Sequence, residues 1–306
     1  TLHSSHHFSH GASEWTVWFE NTSSENSGDL RDYEFNSNIV NILFIGLDTE
    51  RSMESKTEYG DQAPAESINL ISFNTKDNII SILPISKDTI TTVGKFTKEG
   101  HKAGKIETQI ANAYAYGNGG NDSSLNVCNA VGDLLYGTHI QYYVTVNRDA
   151  SYFISNLVDG VSLVVPNNDL KHKYPEMKKG STIRITDHNV ATYLGYVDEE
   201  KAGSNEGRMQ RQQVYLAAYI NKLASLGEDD CLNMWDKISK HTKEVKTNID
   251  KETFIALISQ VCDYEFGNDH ILKIEGNIEE NNGTAAFVPD KDALKKLVIS
   301  NYFRLK

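Results

Sequence analysis

Asn41-Ile42-Leu43-Phe44-Ile45-Gly46-Leu47-Asp48 is a continuous apolar run that ends on a glycine and an aspartate. An apolar run without alternation reads as a strand buried on both faces. In α/β proteins the C-terminal end of such a strand opens into a site, so Asp48 is the first candidate ligand. Beyond it, residues 49–65 are polar and include Gly60 and Pro64, as an exposed loop does. Residues 67–74 and 78–85 then form two strand-like runs joined by Thr75-Lys76-Asp77-Asn78, a hairpin whose far end delivers Ser86-Lys87-Asp88-Thr89.

The next stretches continue the alternation. Residues 106–116 are expected to be helical, stopping at Gly117-Asn118-Gly119-Gly120, with Ser123 or Ser124 capping a following helix whose apolar face carries Leu125, Cys128, Val131 and Leu135. Residues 141–147 read as a strand, followed by a short helix with Phe153, Ile154, Leu157 and Val158 inward and a strand at 161–166. Helices at 230–241 and 251–261, a strand at 271–274 and a last helix from Asp290 to about Asn301 complete the pattern. The fold class is α/β, with α/β/α layers: a mixed central β-sheet and helices on both faces. No Pro/Ser-rich linker or internal repeat interrupts the chain, so residues 38–306 are expected to form one domain. Residues 1–37, rich in Ser, Asn and Glu and holding His3, His6, His7 and His10, read as a flexible leader.

Composition narrows the function. The 306 residues carry a net charge of −12, with no clustered lysine and arginine for counterion release, which argues against a general nucleic-acid binder. Cys128, Cys231 and Cys262 are too far apart for a zinc site and read as core thiols. No histidine set has ligand spacing. No run reaches the ~20 apolar residues of a membrane span. The chain starts at Thr1, which reads as a processed or truncated form with an anchor removed upstream.

Against that acidic background Glu206-Gly207-Arg208-Met209-Gln210-Arg211-Gln212-Gln213 stands out, running into Val214-Tyr215-Leu216. At helical spacing Arg208, Arg211, Gln212 and Tyr215 share one face, where two guanidinium forks and an amide suit a phosphate or pyrophosphate. The bland reading is a set of surface ion pairs with Glu206, Asp198 or Glu199.

Taken in order, Asn41 to Asp48, Ser67-Ile68-Asn69-Leu70-Ile71-Ser72-Phe73-Asn74, Ile85-Ser86-Lys87-Asp88-Thr89, Asn112-Ala113-Tyr114-Ala115-Tyr116-Gly117, Tyr142 to Asn147, Val158-Asp159-Gly160-Val161 and Gly207 to Gln213 resemble the LytR-CpsA-Psr family, the cell envelope-related transcriptional attenuator domain. The resemblance implies an extracytoplasmic protein at the bacterial cell wall, tethered by an N-terminal membrane anchor. It implies transfer of a glycopolymer such as teichoic acid from a polyprenyl-pyrophosphate carrier to peptidoglycan, with Mg2+ held by aspartates and the lipid tail in an apolar pocket.

Residue by residue it places Asp48 and Glu66 at the metal, and Arg208, Arg211, Lys87 and Asp88 at the catalytic phosphates. Gln212 and Tyr215 become substrate-binding residues. The sequence departs from the family where an arginine gives way to Pro64, an aspartate to Glu66 and an arginine to Lys87, and where Tyr193-Leu194-Gly195-Tyr196-Val197 lacks arginine altogether. A divergent transferase and a non-catalytic prenyl-phosphate or glycan binding module are both open at this point. The family's older name suggests a regulator, but no recognition helix or helix-turn-helix supports one.

Overall fold

A computed structural model describes residues 30–198, 204–226, 228–261, 264, 266–281 and 284–306. Its strands are β1 (Tyr33–Phe35), β2 (Ile39–Gly46), β3 (Ser67–Asn74), β4 (Ile79–Ile85), β5 (Ile90–Phe96), β6 (Lys102–Gln109), β7 (Tyr142–Val146), β8 (Val161–Val164), β9 (Thr182–Ile185), β10 (Val245–Thr247), β11 (Gly276–Asn281), β12 (Thr284–Pro289) and β13 (Phe303–Leu305). The helices are α1 (Asn112–Ala115), α2 (Asn121–Leu134), α3 (Ala150–Leu157), α4 (Val190–Gly195), α5 (Ser204–Ala224), α6 (Glu228–Ile238), α7 (Lys251–Val261) and α8 (Lys291–Tyr302).

The central sheet is five-stranded and mixed, in the order β10-β7-β2-β3-β4. β2 lies at its middle, antiparallel to β3 (Leu43 opposite Leu70) and parallel to β7 (Phe44 opposite Val144). Successive side chains of a strand point to opposite faces, and β2 has an apolar layer on each. Leu43 and Ile45 join Val127, Val131, Leu294 and Val298 of α2 and α8 on one side. Val40 and Ile42 join Ile220, Leu257 and Ile258 of α5 and α7 on the other. Burial of each large aliphatic side chain contributes about 1.5–3 kcal/mol, so this double-sided strand holds the fold together. The one amide in the run, Asn41, is fully buried yet satisfied: it donates to His139 O at 2.7 Å and accepts from Ser72 Oγ at 2.6 Å.

Several expectations need correcting. Residues 106–116 are not one helix: β6 pairs with β5 (Ile106 opposite Val93), leaving only α1 helical. The apolar spacing imitates a helix, but β-branched Ile106 and Thr108 beside an available partner strand favour a hairpin. Helix α2 starts at Asn121 with Gly120 at its N-cap, and Ser123 instead accepts from Gly119 N at 2.9 Å, inside the first turn. Ile271 makes a single bridge to Ile82, and the strand lies further on, at β11.

Of the expected leader, residues 1–29 and their histidines lie outside the described residues, but its last part is packed: β1 pairs with β13, and Leu30 is buried. Cys128 is the buried core thiol the sequence suggests, whereas Cys262 and the Cys231 side chain lie outside the description. Asp290 caps α8 as expected, accepting from Ala293 N at 2.9 Å.

Candidate functional site

The topology assembles a site at one edge of the sheet. Parallel β2 and β7 end there together, so Leu47 N bonds Val146 O and Arg148 N bonds Thr49 O, each at 2.9 Å. Antiparallel β3 begins there with Ser67, and β4 ends there, since Ile85 pairs with Ile68. Four segments therefore bring Asp48, Glu66, Lys87 and Arg148 to the same edge, and α5 crosses it with Arg208.

Behind this edge lies a cavity of about 410 Å³ between the sheet and helices α5, α6 and α7. Its walls are apolar: Ile42, Phe44, Ile71, Phe73 and Val144 from the sheet, and Leu216, Tyr219, Ile220, Trp235, Phe254 and Leu257 from the helices. Asp48, Glu66, Asn69, Asn147, Arg148, Arg208 and Gln212 also line it and supply its polar end. An apolar chamber with a few convergent polar groups suits a ligand with a hydrocarbon body and a charged head.

The polar end is an ion-pair network. The Glu66 carboxylate accepts from Lys87 Nζ at 2.8 and 3.0 Å and from Arg208 Nη1 at 2.9 Å. Arg208 is nearly enclosed, with 9% of its side chain exposed. Asp48 accepts from Arg148 Nε at 2.7 Å, and Glu50 accepts from Arg148 Nη1 at 3.1 Å. Gln212 and Tyr215 line the cavity, Gln212 donating to Leu194 O at 3.1 Å. Burial pushes the Tyr215 phenol up to about 12, so it stays protonated at neutral pH. Asp88 accepts from Gln109 Nε2 at 3.1 Å and does not line the cavity. Burial raises its carboxyl above the usual range, with Lys87 opposing the shift.

Arg211 is the departure. Residues adjacent on a helix lie about 100° apart, and Arg211 turns away from Gln212 into a separate buried nest. Its Nε donates to Tyr193 O at 2.8 Å, its Nη1 to Asp169 Oδ2 at 2.9 Å, and its Nη2 to Tyr196 O. The side chain is fully buried. Gly207 makes room for this pair, because a Cβ there would stand 1.9 Å from Asp169 Oδ2. Arg211 thus fixes the Tyr193–Tyr196 backbone to α5 instead of facing the cavity.

Arg148 is the functional candidate that sequence reasoning missed. The signal was its position directly after the strand that runs parallel to β2, where α/β sites are built.

Comparison with known proteins gives a consistent result. A sequence model described as the LytR_cpsA_psr family matches residues 10–300. The polyisoprenyl-teichoic acid–peptidoglycan teichoic acid transferase TagU of Bacillus cereus is 31% identical over 216 residues, which make up 70% of this chain and 61% of that protein. The corresponding transferase TagT of Bacillus subtilis is 25% identical over 241 residues, covering 76% of this chain and 69% of that one. Among solved structures, TagV of B. subtilis aligns with a TM-score of 0.65 at 25% identity, over 87% of this chain and 96% of its own. A structure of TagT bound to LIIa-WTA aligns with a TM-score of 0.63 at 20% identity, over 92% and 95%.

Proposed function

The chain belongs to the LytR-CpsA-Psr family, and from that premise we propose that it is a glycopolymer phosphotransferase of the bacterial cell envelope, moving a polyprenyl-pyrophosphate-linked glycan to peptidoglycan. The observation that carries this reading is the apolar cavity with Arg208, Gln212, Asp48 and Glu66 at its polar end. A prenyl tail fills the cavity and its phosphates meet Arg208 and Lys87, while Gln212 orients the headgroup. Phosphoryl transfer asks a protein mainly for positioning, which this arrangement offers, and for charge neutralisation, which its carboxylate-paired cations supply only in part. No described helix is long and apolar enough to cross a membrane, so attachment through an N-terminal anchor rests on the family reading alone.

The charge count bears on a metal. Lys87, Arg148 and Arg208 are matched by Asp48, Glu50 and Glu66. With Asp88 beside Lys87 as a further carboxylate, the polar end has no net positive charge to offer a pyrophosphate. Among the described residues no group of three or more metal-ligating side chains is assembled. Mg2+ needs only one or two carboxylates beside phosphate oxygens and water, and the oxygen-only donors Asp48 and Glu66 fit that requirement. When bound, the ion supplies neutralisation of phosphate charge. Asp48 and Glu66 would hold it, with Arg208 and Lys87 on the phosphates.

The alternative, a module that binds prenyl phosphate or glycan without turnover, is favoured by one observation: Arg211 is committed to Asp169 and adds no charge to the cavity. The two separate on incubating the protein with a prenyl-pyrophosphate-linked glycan, Mg2+ and peptidoglycan. Release of prenyl phosphate with glycan attached to the wall supports transfer, and binding without release selects the module.

A steric variant tests the tail's place. Val144→Phe projects a ring into the cavity and is expected to weaken geranylgeranyl diphosphate binding by about tenfold or more, leaving inorganic pyrophosphate binding unchanged. Titration calorimetry with both ligands reads the difference, and equal weakening of both would place the tail elsewhere.

A further inference from the structure

Resting on the reading just given, we propose that Arg148 is the second guanidinium of the headgroup seat and makes this site select a diphosphate over a monophosphate. Arg148 lines the same cavity as Arg208 but comes from the end of β7, not from α5. The two guanidinium groups are held by different carboxylates, Arg208 by Glu66 and Arg148 by Asp48 and Glu50. The cavity end thus has two separate cationic centres, and a ligand with two linked phosphates is the class that uses both.

The backbone under Arg148 is fixed while its side chain is exchangeable. Its N–H bonds Thr49 O at 2.9 Å. Neighbouring Asn147 is buried, donates to Arg51 O at 3.1 Å and accepts from Ala150 N at 3.1 Å. By contrast, the Arg148 side chain is 44% exposed, and its partners Asp48 and Glu50 are 63% and 71% exposed. Ion pairs that open to water contribute little, so a phosphate displaces these carboxylates at small cost and gains a bidentate fork. Arg208, enclosed and bonded to Glu66, is the permanent centre, and Arg148 is the one recruited by the second phosphate.

The test is binding by the purified chain of geranylgeranyl diphosphate and geranylgeranyl monophosphate, each with and without Mg2+. Arg148→Ala is expected to weaken the diphosphate by about 10- to 100-fold. It should weaken the monophosphate by less than about threefold. Arg208→Ala weakens both. Glu50→Gln removes a competitor for the guanidinium and is expected to tighten the diphosphate by about two- to fivefold. Thermal melts of Arg148→Ala and Glu50→Gln should match the parent, because both side chains are exposed. If Arg148→Ala binds both lipids as the parent does while Arg208→Ala does not, the proposal is overturned and the proposed function stands. If the parent binds neither lipid, the lipid reading of the cavity fails and takes the proposal with it.

Discussion

Arg211→Ala is expected to destabilise the fold by about 3–5 kcal/mol, the cost typical of deleting one partner of a buried ion pair. Arg211 is completely buried, Asp169 nearly so, and three backbone or carboxylate acceptors would lose their donor together. Denaturant unfolding followed by circular dichroism measures the loss. Arg211→Lys restores charge but not the fork that reaches Tyr193, Tyr196 and Asp169 at once, and should recover only part of it. Prenyl-diphosphate affinity of whatever protein remains folded should be close to the parent's. A variant that is fully stable yet unable to bind would refute the assignment of Arg211 to structure.

Arg208→Ala is expected to do the reverse. Its guanidinium is the enclosed cation of the cavity, and truncating one member of a buried, hydrogen-bonded charge pair typically costs about 2–5 kcal/mol of binding. That corresponds to a loss of prenyl-diphosphate affinity of about 30-fold at the least. Stability should fall less than for Arg211, since Glu66 keeps Lys87 at 2.8 Å and reaches solvent. Calorimetric titration alongside an unfolding curve separates the two variants. Unchanged lipid affinity in Arg208→Ala would remove the main support for a phosphate seat on α5.

The two arginines stand three residues apart in one motif, and their divergence shows what the sequence leaves out. Spacing alone puts Arg208 and Arg211 on one broad helix face, and nothing in residues 206–213 says that Asp169, some forty positions earlier, packs against one flank. Gly207 was the available clue, because a helix-start glycine between charged residues marks a close approach. The buried strand at Asn41–Asp48 was legible because one local run carries its own answer: Leu43, Ile45 and Leu47 enter one layer, Ile42 the other, and Phe44 the cavity wall. The β5–β6 hairpin was not. The residues of β6 are mostly exposed, so the apolar spacing that begins at Ile106 says nothing about which partner satisfies the backbone. Glu66 and Lys87 were found through the ordered motifs, and Arg148 was overlooked because it belongs to none of them.

The apolar cavity has a thermodynamic consequence. Chambers lined by aliphatic and aromatic side chains hold water poorly, and their walls lack the dispersion contacts that a filled core provides. A hydrocarbon entering such a space evicts little solvent and completes those missing contacts, so its binding is favoured by heat released more than by water freed. Between the sheet and α5 to α7 the protein therefore holds an unfinished piece of hydrophobic core, which on the proposed function a prenyl tail completes.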